Sequence, residues 1–133
     1  MAVVKADGYG HGLVPSAGAA VAGGAAWLGV AHLSEAMTLR DNGFQTPLLS
    51  WLHVPGSDFV AAIAADVDLS VSALWCLAEV AAAARRLGRT ARLHLKVDTG
   101  PGRTGAFVDD WPILPPAPRA LAAAGGGAVV GGG

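Results

Sequence analysis

A lysine directly behind three apolar residues is the first feature with chemical promise. Ala2, Val3 and Val4 read as a short strand, Lys5 ends it, and Gly8, Gly10 and Gly12 follow with Tyr9 among them. In parallel α/β folds, functional groups sit where strands end and loops begin. A lysine held at the low-dielectric end of a sheet has its neutral amine favoured by desolvation, which suits it to attack a carbonyl and form a Schiff base. The glycines let backbone approach a ligand closely, and the Tyr9 hydroxyl lies four residues from the lysine. The same residues also describe a strand-ending lysine that snorkels to solvent ahead of an ordinary glycine turn. GYGHG is not a dinucleotide fingerprint, because the G-x-G-x-x-G spacing is absent.

A second constellation is HLKVDTGPGRTG. Lys96 stands near the end of another strand-like run, with Asp98 two residues on, and Arg103 lies among Gly100, Gly102 and Gly105. An arginine there can donate to an oxyanion or carboxylate in fixed geometry, or it can be a solvated residue of a mobile loop. Lys96 reads equally as a strand-end lysine paired with Asp98. His32 and His53 fall near strand ends and could line a pocket mouth, whereas His11 and His94 read more simply as structural. The four histidines have no metal-ligand spacing, so no metal is expected. Cys76 on an alanine-rich helix reads as a small core residue, and Trp27, Trp51, Trp75 and Trp111 as packing.

The elements that must position these residues recur regularly. Strand-like runs are expected at Ala2–Val4, Trp27–Ala31, Pro47–Leu52, Val67–Val71, Arg92–Val97 and, weakly, Ala128–Val130. Ser34 is the expected N-cap of a helix over EAMTLRDN, with Gly43 just past its end. Residues 56–65 give a shorter helix built on Phe59, Val60 and Ile63. Ser72 is the expected cap of the longest helix, where Leu74, Leu77, Ala81, Ala84 and Leu87 recur at helical spacing, with Arg85 and Arg86 near the end and Gly88 following. Strands alternating with helices signal βα units and a parallel α/β sheet. About five units and the start of a sixth would satisfy a doubly wound sheet; a closed (β/α)8 barrel needs eight strands and about 250 residues.

"AVVKADGYGHG" closely resembles the pyridoxal-phosphate lysine motif of alanine racemases, usually AVVKA(D/N)AYGHG. "HLKVDTGPGRTG" resembles a second signature of that family, H-x-K-x-D-T-G-M-x-R-x-G, with Pro101 in place of the usual methionine or leucine. The segment "LGVAHLSEAMTLRDNGFQTPLLSW" between them follows the family's strand–helix–strand run, so the resemblance covers residues 1 to 111. It implies the α/β fold of a partial (β/α)8 barrel. It further implies that Lys5 is both the lysine joined covalently to pyridoxal 5'-phosphate and a racemisation base. Tyr9 falls on the residue that contacts the cofactor phosphate. Arg103 falls on the one near the cofactor's phenolic oxygen and the substrate carboxylate, and Lys96 on a lysine that is often carbamylated and orients that arginine. The implied reaction interconverts L- and D-alanine for peptidoglycan, in a homodimer whose partner supplies a tyrosine as the second base. Serine or lysine racemases share the first motif closely, and a cofactor-binding chain without turnover is the further alternative.

Composition narrows the classes. A formal net charge of −1, with nine scattered Lys and Arg, leaves no electrostatic footprint for nucleic acid or an anionic membrane. A single cysteine excludes an internal disulfide framework and fits a reducing cytoplasm. The longest weakly apolar stretch, 17–31, is shorter than a membrane span and reads as a helix end, a turn and a strand, so a soluble chain is expected; the small amino-acid substrate is what the resemblance implies. Residues 1–133 read as one barrel domain that is incomplete, with a degenerate Pro/Ala/Gly-rich tail at 112–133 in which Pro118 could start a helix. Such an open piece, with uncovered sheet edges, is expected to fold marginally and to racemise negligibly by itself.

Overall fold

The computed structural model describes residues 1–98, 100, 102, 105 and 106 and the backbone of 128–132. Six strands, β1 (Ala2–Val3), β2 (Leu28–Val30), β3 (Leu48–Ser50), β4 (Val67–Val71), β5 (Arg92–Leu95) and β6 (Ala128–Gly132), form one sheet in the order 1-2-3-4-5-6. Every neighbouring pair is parallel. A doubly wound sheet would reverse its order part-way; this one never does, so right-handed crossovers place the helices among the described residues on one face, as in a barrel. The fold is a partial (β/α)8 barrel, and the doubly wound alternative left open by spacing alone is set aside.

Between the strands lie a turn α1 (Lys5–Tyr9) and the helices α2 (Leu13–Ala22), α3 (Leu33–Asp41), α4 (Phe59–Ala64) and α5 (Leu74–Leu87). Strand alternation builds the core. Val4, Leu28, Val30, Leu48, Val67, Leu69, Val71, Leu93 and Leu95 face the helices and pack with Ala17, Leu39, Ile63, Leu77 and Val80 in one cluster. Each such aliphatic side chain contributes about 1.5–3 kcal/mol by leaving water.

The opposite face is concave. Trp27, one residue before β2, and His94 on β5 meet edge to face with ring centroids 5.8 Å apart. Their strands stand three places apart, about 14 Å in a flat sheet, so the sheet must curl to bring them together. Beside them the buried Asp68 accepts from Arg92 Nε at 2.5 Å and pairs with His94 Nε2 at 2.9 Å.

Two helix starts differ from the sequence expectation. The N-cap of α3 is His32 rather than Ser34, because Glu35 at the third helical position accepts from the His32 backbone N–H. The N-cap of α5 is Ala73 rather than Ser72, with no side-chain cap, and the expected core residue Leu74 is 42% exposed. The start of α4 is set by Asp58, whose carboxylate accepts from Ala61 N at 2.9 Å. The possible helix start at Pro118 lies outside the described residues. No helix among the described residues is long and apolar enough to cross a membrane.

Candidate active site

Lys5 leaves β1 at its carboxyl end. Val4 N donates to Gly29 O at 2.9 Å, the last tie of the strand to β2, and its side chain is buried toward the helices. Val4, at φ −117° and ψ 11°, leaves the extended strand conformation, and Lys5 follows as the first residue of the turn, partly buried at the carboxyl end of β1. The chain then makes one left-handed turn: Ala6, Asp7, Gly8 and Tyr9 have φ of 55°, 55°, 59° and 56°. Three of these four carry a Cβ, at a cost of about 1–2 kcal/mol each. Local bonds offset part of that cost. Gly8 N donates to Val4 O at 3.0 Å, Gly12 N to Asp7 O at 2.9 Å and Leu13 N to Asp7 Oδ1 at 2.8 Å. The last of these also serves an orphan N–H at the start of α2. A Cβ on Gly8 would stand 2.2 Å from Ser16 Oγ, so both φ and space demand glycine there. Tyr9 leaves the turn 74% exposed.

Lys96 follows β5 as Lys5 follows β1. Leu93 and Leu95 face the helices, Arg92 and His94 the concave side, and Lys96 continues the latter series. Its N–H donates to Val71 O at 2.9 Å, extending the pairing of β5 with β4. Both sequence-predicted lysines therefore follow strands of one parallel sheet at the same, carboxyl end, where active sites of such barrels are built. Arg103 lies outside the described residues, but the frame of its loop does not. Asp98 Oδ1 accepts from Gly100 N at 2.9 Å and Gly102 N at 3.1 Å, while Asp98 N donates to Ala106 O at 3.0 Å and Ala106 N to Lys96 O at 2.8 Å. A Cβ on Gly105 would lie 2.5 Å from Asp98 N, so only glycine lets the returning chain pass.

The histidines divide. His32 lines an open cleft with Met37, Leu52 and Val54 that includes neither Lys5 nor Lys96. His53 instead packs edge-on against Phe59, ring centroids 5.4 Å apart. Both its nitrogens are buried with no hydrogen-bond partner among the described residues, and burial lowers its pKa below the usual histidine value. No cluster of metal-ligating side chains occurs among the described residues. Asp7 and Glu35 organise the Lys5 turn and went unseen in the sequence; the only signal was a carboxylate in each of the two strand-end segments.

Residues 1–129 match the alanine racemase N-terminal domain family. The chain belongs to the alanine racemase family. The match runs past residue 111, where the motif resemblance stopped, into β6. An alanine racemase of Frankia casuarinae is 66% identical over 125 residues, covering 94% of this chain and 33% of its own. That of Beutenbergia cavernae is 58% identical over 124 residues, covering 92% and 33%. The crystal structure of alanine racemase from D-cycloserine-producing Streptomyces lavendulae superposes with a TM-score of 0.96 at 52% identity, over 99% of this chain and 35% of that one. The racemase of Bacillus anthracis with bound L-Ala-P gives 0.83 at 33% identity, over 98% and 33%. The chain thus spans about a third of the length of these alanine racemases.

Proposed function

We propose that this chain is the lysine-bearing barrel portion of a pyridoxal-phosphate-dependent, cytoplasmic enzyme that interconverts L- and D-alanine, with residues 1–133 as part of a single barrel domain. The observation that carries the reading is a lysine at the carboxyl end of β1, opening a strained left-handed turn. Lys5 is partly buried and has no hydrogen-bond or ion-pair partner among the described residues, which fits an aldehyde-bearing cofactor. Bound there, the cofactor would supply an electron sink for the charge developing at the amino-acid Cα. The chain's own residues do the rest. Lys5 would hold the cofactor through its aldehyde and would move a proton at one face of Cα. Tyr9, exposed on the same turn, reaches an anionic phosphate. Arg103 orients a carboxylate, and Lys96 steadies Arg103 from the neighbouring strand end.

Racemisation needs a base on each face. The one tyrosine of these residues, Tyr9, sits on the Lys5 turn, and the resemblance assigns the second base to a tyrosine of a partner subunit, as in a homodimer. That observation favours a second reading for the chain by itself: cofactor capture without turnover.

The chain has two lysines, which makes the test clean. With pyridoxal phosphate added, then borohydride and peptide mapping, the label is expected on Lys5 and lost in Lys5→Ala. Label on Lys96 or the α-amino group instead, or none, would overturn the proposal. Exchange of the alanine α-proton by the labelled chain separates the two readings.

A further inference from the structure

Lys5 is fixed from both sides of its backbone, and the two ties come from different elements. Ahead of it, Val4 N reaches Gly29 O on β2. Behind it, Ala6 N donates at 2.7 Å to Oε1 of Glu35, a residue 29 positions away on α3. The other oxygen of that carboxylate, Oε2, accepts from Ala31 N and His32 N, both at 2.9 Å. One carboxylate thus collects three backbone N–H groups from the loops that follow two adjacent parallel strands.

A glutamate at the third position of a helix ordinarily reaches back only to its own N-cap. Here that duty occupies one oxygen, and the other spans to the neighbouring loop. The bond lands on the first residue of the left-handed turn, where Ala6 sits at φ 55° and ψ 47°. Such a turn persists only where its surroundings over-determine it. Asp7 holds the far end through Leu13 N, and Glu35 holds the end next to the lysine.

We infer that Glu35 is a positioning residue for Lys5: its carboxylate pins the Ala6 N–H, sets the left-handed turn and so fixes the backbone from which the amine projects. The inference rests on the proposed role of Lys5 as the cofactor lysine. Aspartate at position 35 is one methylene shorter; it can still serve His32 and Ala31 on its own helix but falls short of Ala6. Glutamine offers one acceptor oxygen and turns an N–H₂ toward the other donors.

The test compares Glu35→Asp and Glu35→Gln with Thr38→Gly, which weakens α3 at an exposed position away from the turn. Two readouts are used: amide hydrogen exchange at Ala6, and the Lys5-to-Lys96 ratio of borohydride-trapped pyridoxal phosphate. In Glu35→Asp the Ala6 amide is expected to exchange about tenfold faster, for loss of one charge-assisted bond, while α3 keeps its protection. The Lys5-to-Lys96 ratio is expected to fall several-fold in both Glu35 variants and to hold in Thr38→Gly. An unchanged Ala6 amide and ratio in Glu35→Asp, or an equal fall in Thr38→Gly, would overturn the inference and leave Glu35 as a helix cap. If the unsubstituted chain traps no cofactor on Lys5, the proposed function fails; Ala6 exchange then decides the tether by itself.

Discussion

A half-buried histidine whose ring nitrogens lie out of water makes the chain acid-sensitive at one residue. His53 packs on Phe59, and burial depresses its pKa, opposed by the Ser50 backbone and helped to a smaller extent by the nearby His32. The unfolded chain, with a histidine pKa near 6.5, binds that proton more readily than the folded one. Stability therefore rises with pH through this window and is lost as pH falls below about 6.5 toward the lower folded value. His53→Phe keeps the ring contact and removes both orphan nitrogens, each a desolvated polar atom. It is expected to raise stability at pH 7 by about 1 kcal/mol and to flatten the acid limb between pH 7 and 5 in urea titrations. A variant with the same acid limb as the parent would show that His53 is not its source. Position along the chain placed His53 near a strand end but could not tell a pocket wall from core packing. That distinction depends on where Phe59 turns, one residue after the Asp58 cap.

Between strands, glycines are required for different reasons at different places, and substitution separates them. Gly102 has φ 63° with open space where a Cβ would go, whereas Gly105 has φ 138° and would drive a Cβ to 2.5 Å from the Asp98 N–H. Gly102→Ala meets only the left-handed penalty, about 1 kcal/mol. Gly105→Ala must also push apart the Lys96–Ala106 and Asp98–Ala106 pairing, and is expected to cost roughly 2–3 kcal/mol. Denaturant midpoints of the two variants measure the gap; equal midpoints would mean the loop closes without that contact. The glycines of this loop were legible as glycines, and so were the strands, because period-two apolar runs such as Val67–Val71 are one-dimensional signals. The left-handed α1 turn was not legible. Three of its four residues have side chains that local propensity assigns elsewhere, and only long-range partners such as Glu35 make the conformation tolerable. The caps of α3 and α5 shifted for the same reason: Glu35 and the strand register outweighed Ser34 and Ser72.

At the scale of the molecule, the question is whether the four βα units among the described residues, with β5 and β6, hold their curled shape, given sheet edges at β1 and β6. Two features oppose opening. The pairing of Asp68 with Arg92 and His94, together with the Trp27–His94 contact, ties the concave faces of β2, β4 and β5. Removing one partner of a buried ion pair costs about 3–5 kcal/mol. Arg92 is 39% exposed, so Asp68→Ala is expected to cost less, roughly 2 kcal/mol. The other feature is α5, whose buried face of Leu77, Val80 and Ala84 includes Cys76. Burial, with a smaller push from Glu79, raises the Cys76 thiol to about 12, so the folded chain presents almost no thiolate. Alkylation of Cys76 near pH 8 therefore reports how often α5 leaves the sheet. A chain stable on its own should react about a thousandfold or more slower than the urea-unfolded chain, and Asp68→Ala should erase roughly thirtyfold of that protection if opening is global. Protection below tenfold in the parent chain would mean that these units depend on the remaining two-thirds present in the Frankia and Streptomyces racemases to stay closed. Protection unchanged in Asp68→Ala would mean instead that α5 opens locally, independent of the concave-face network.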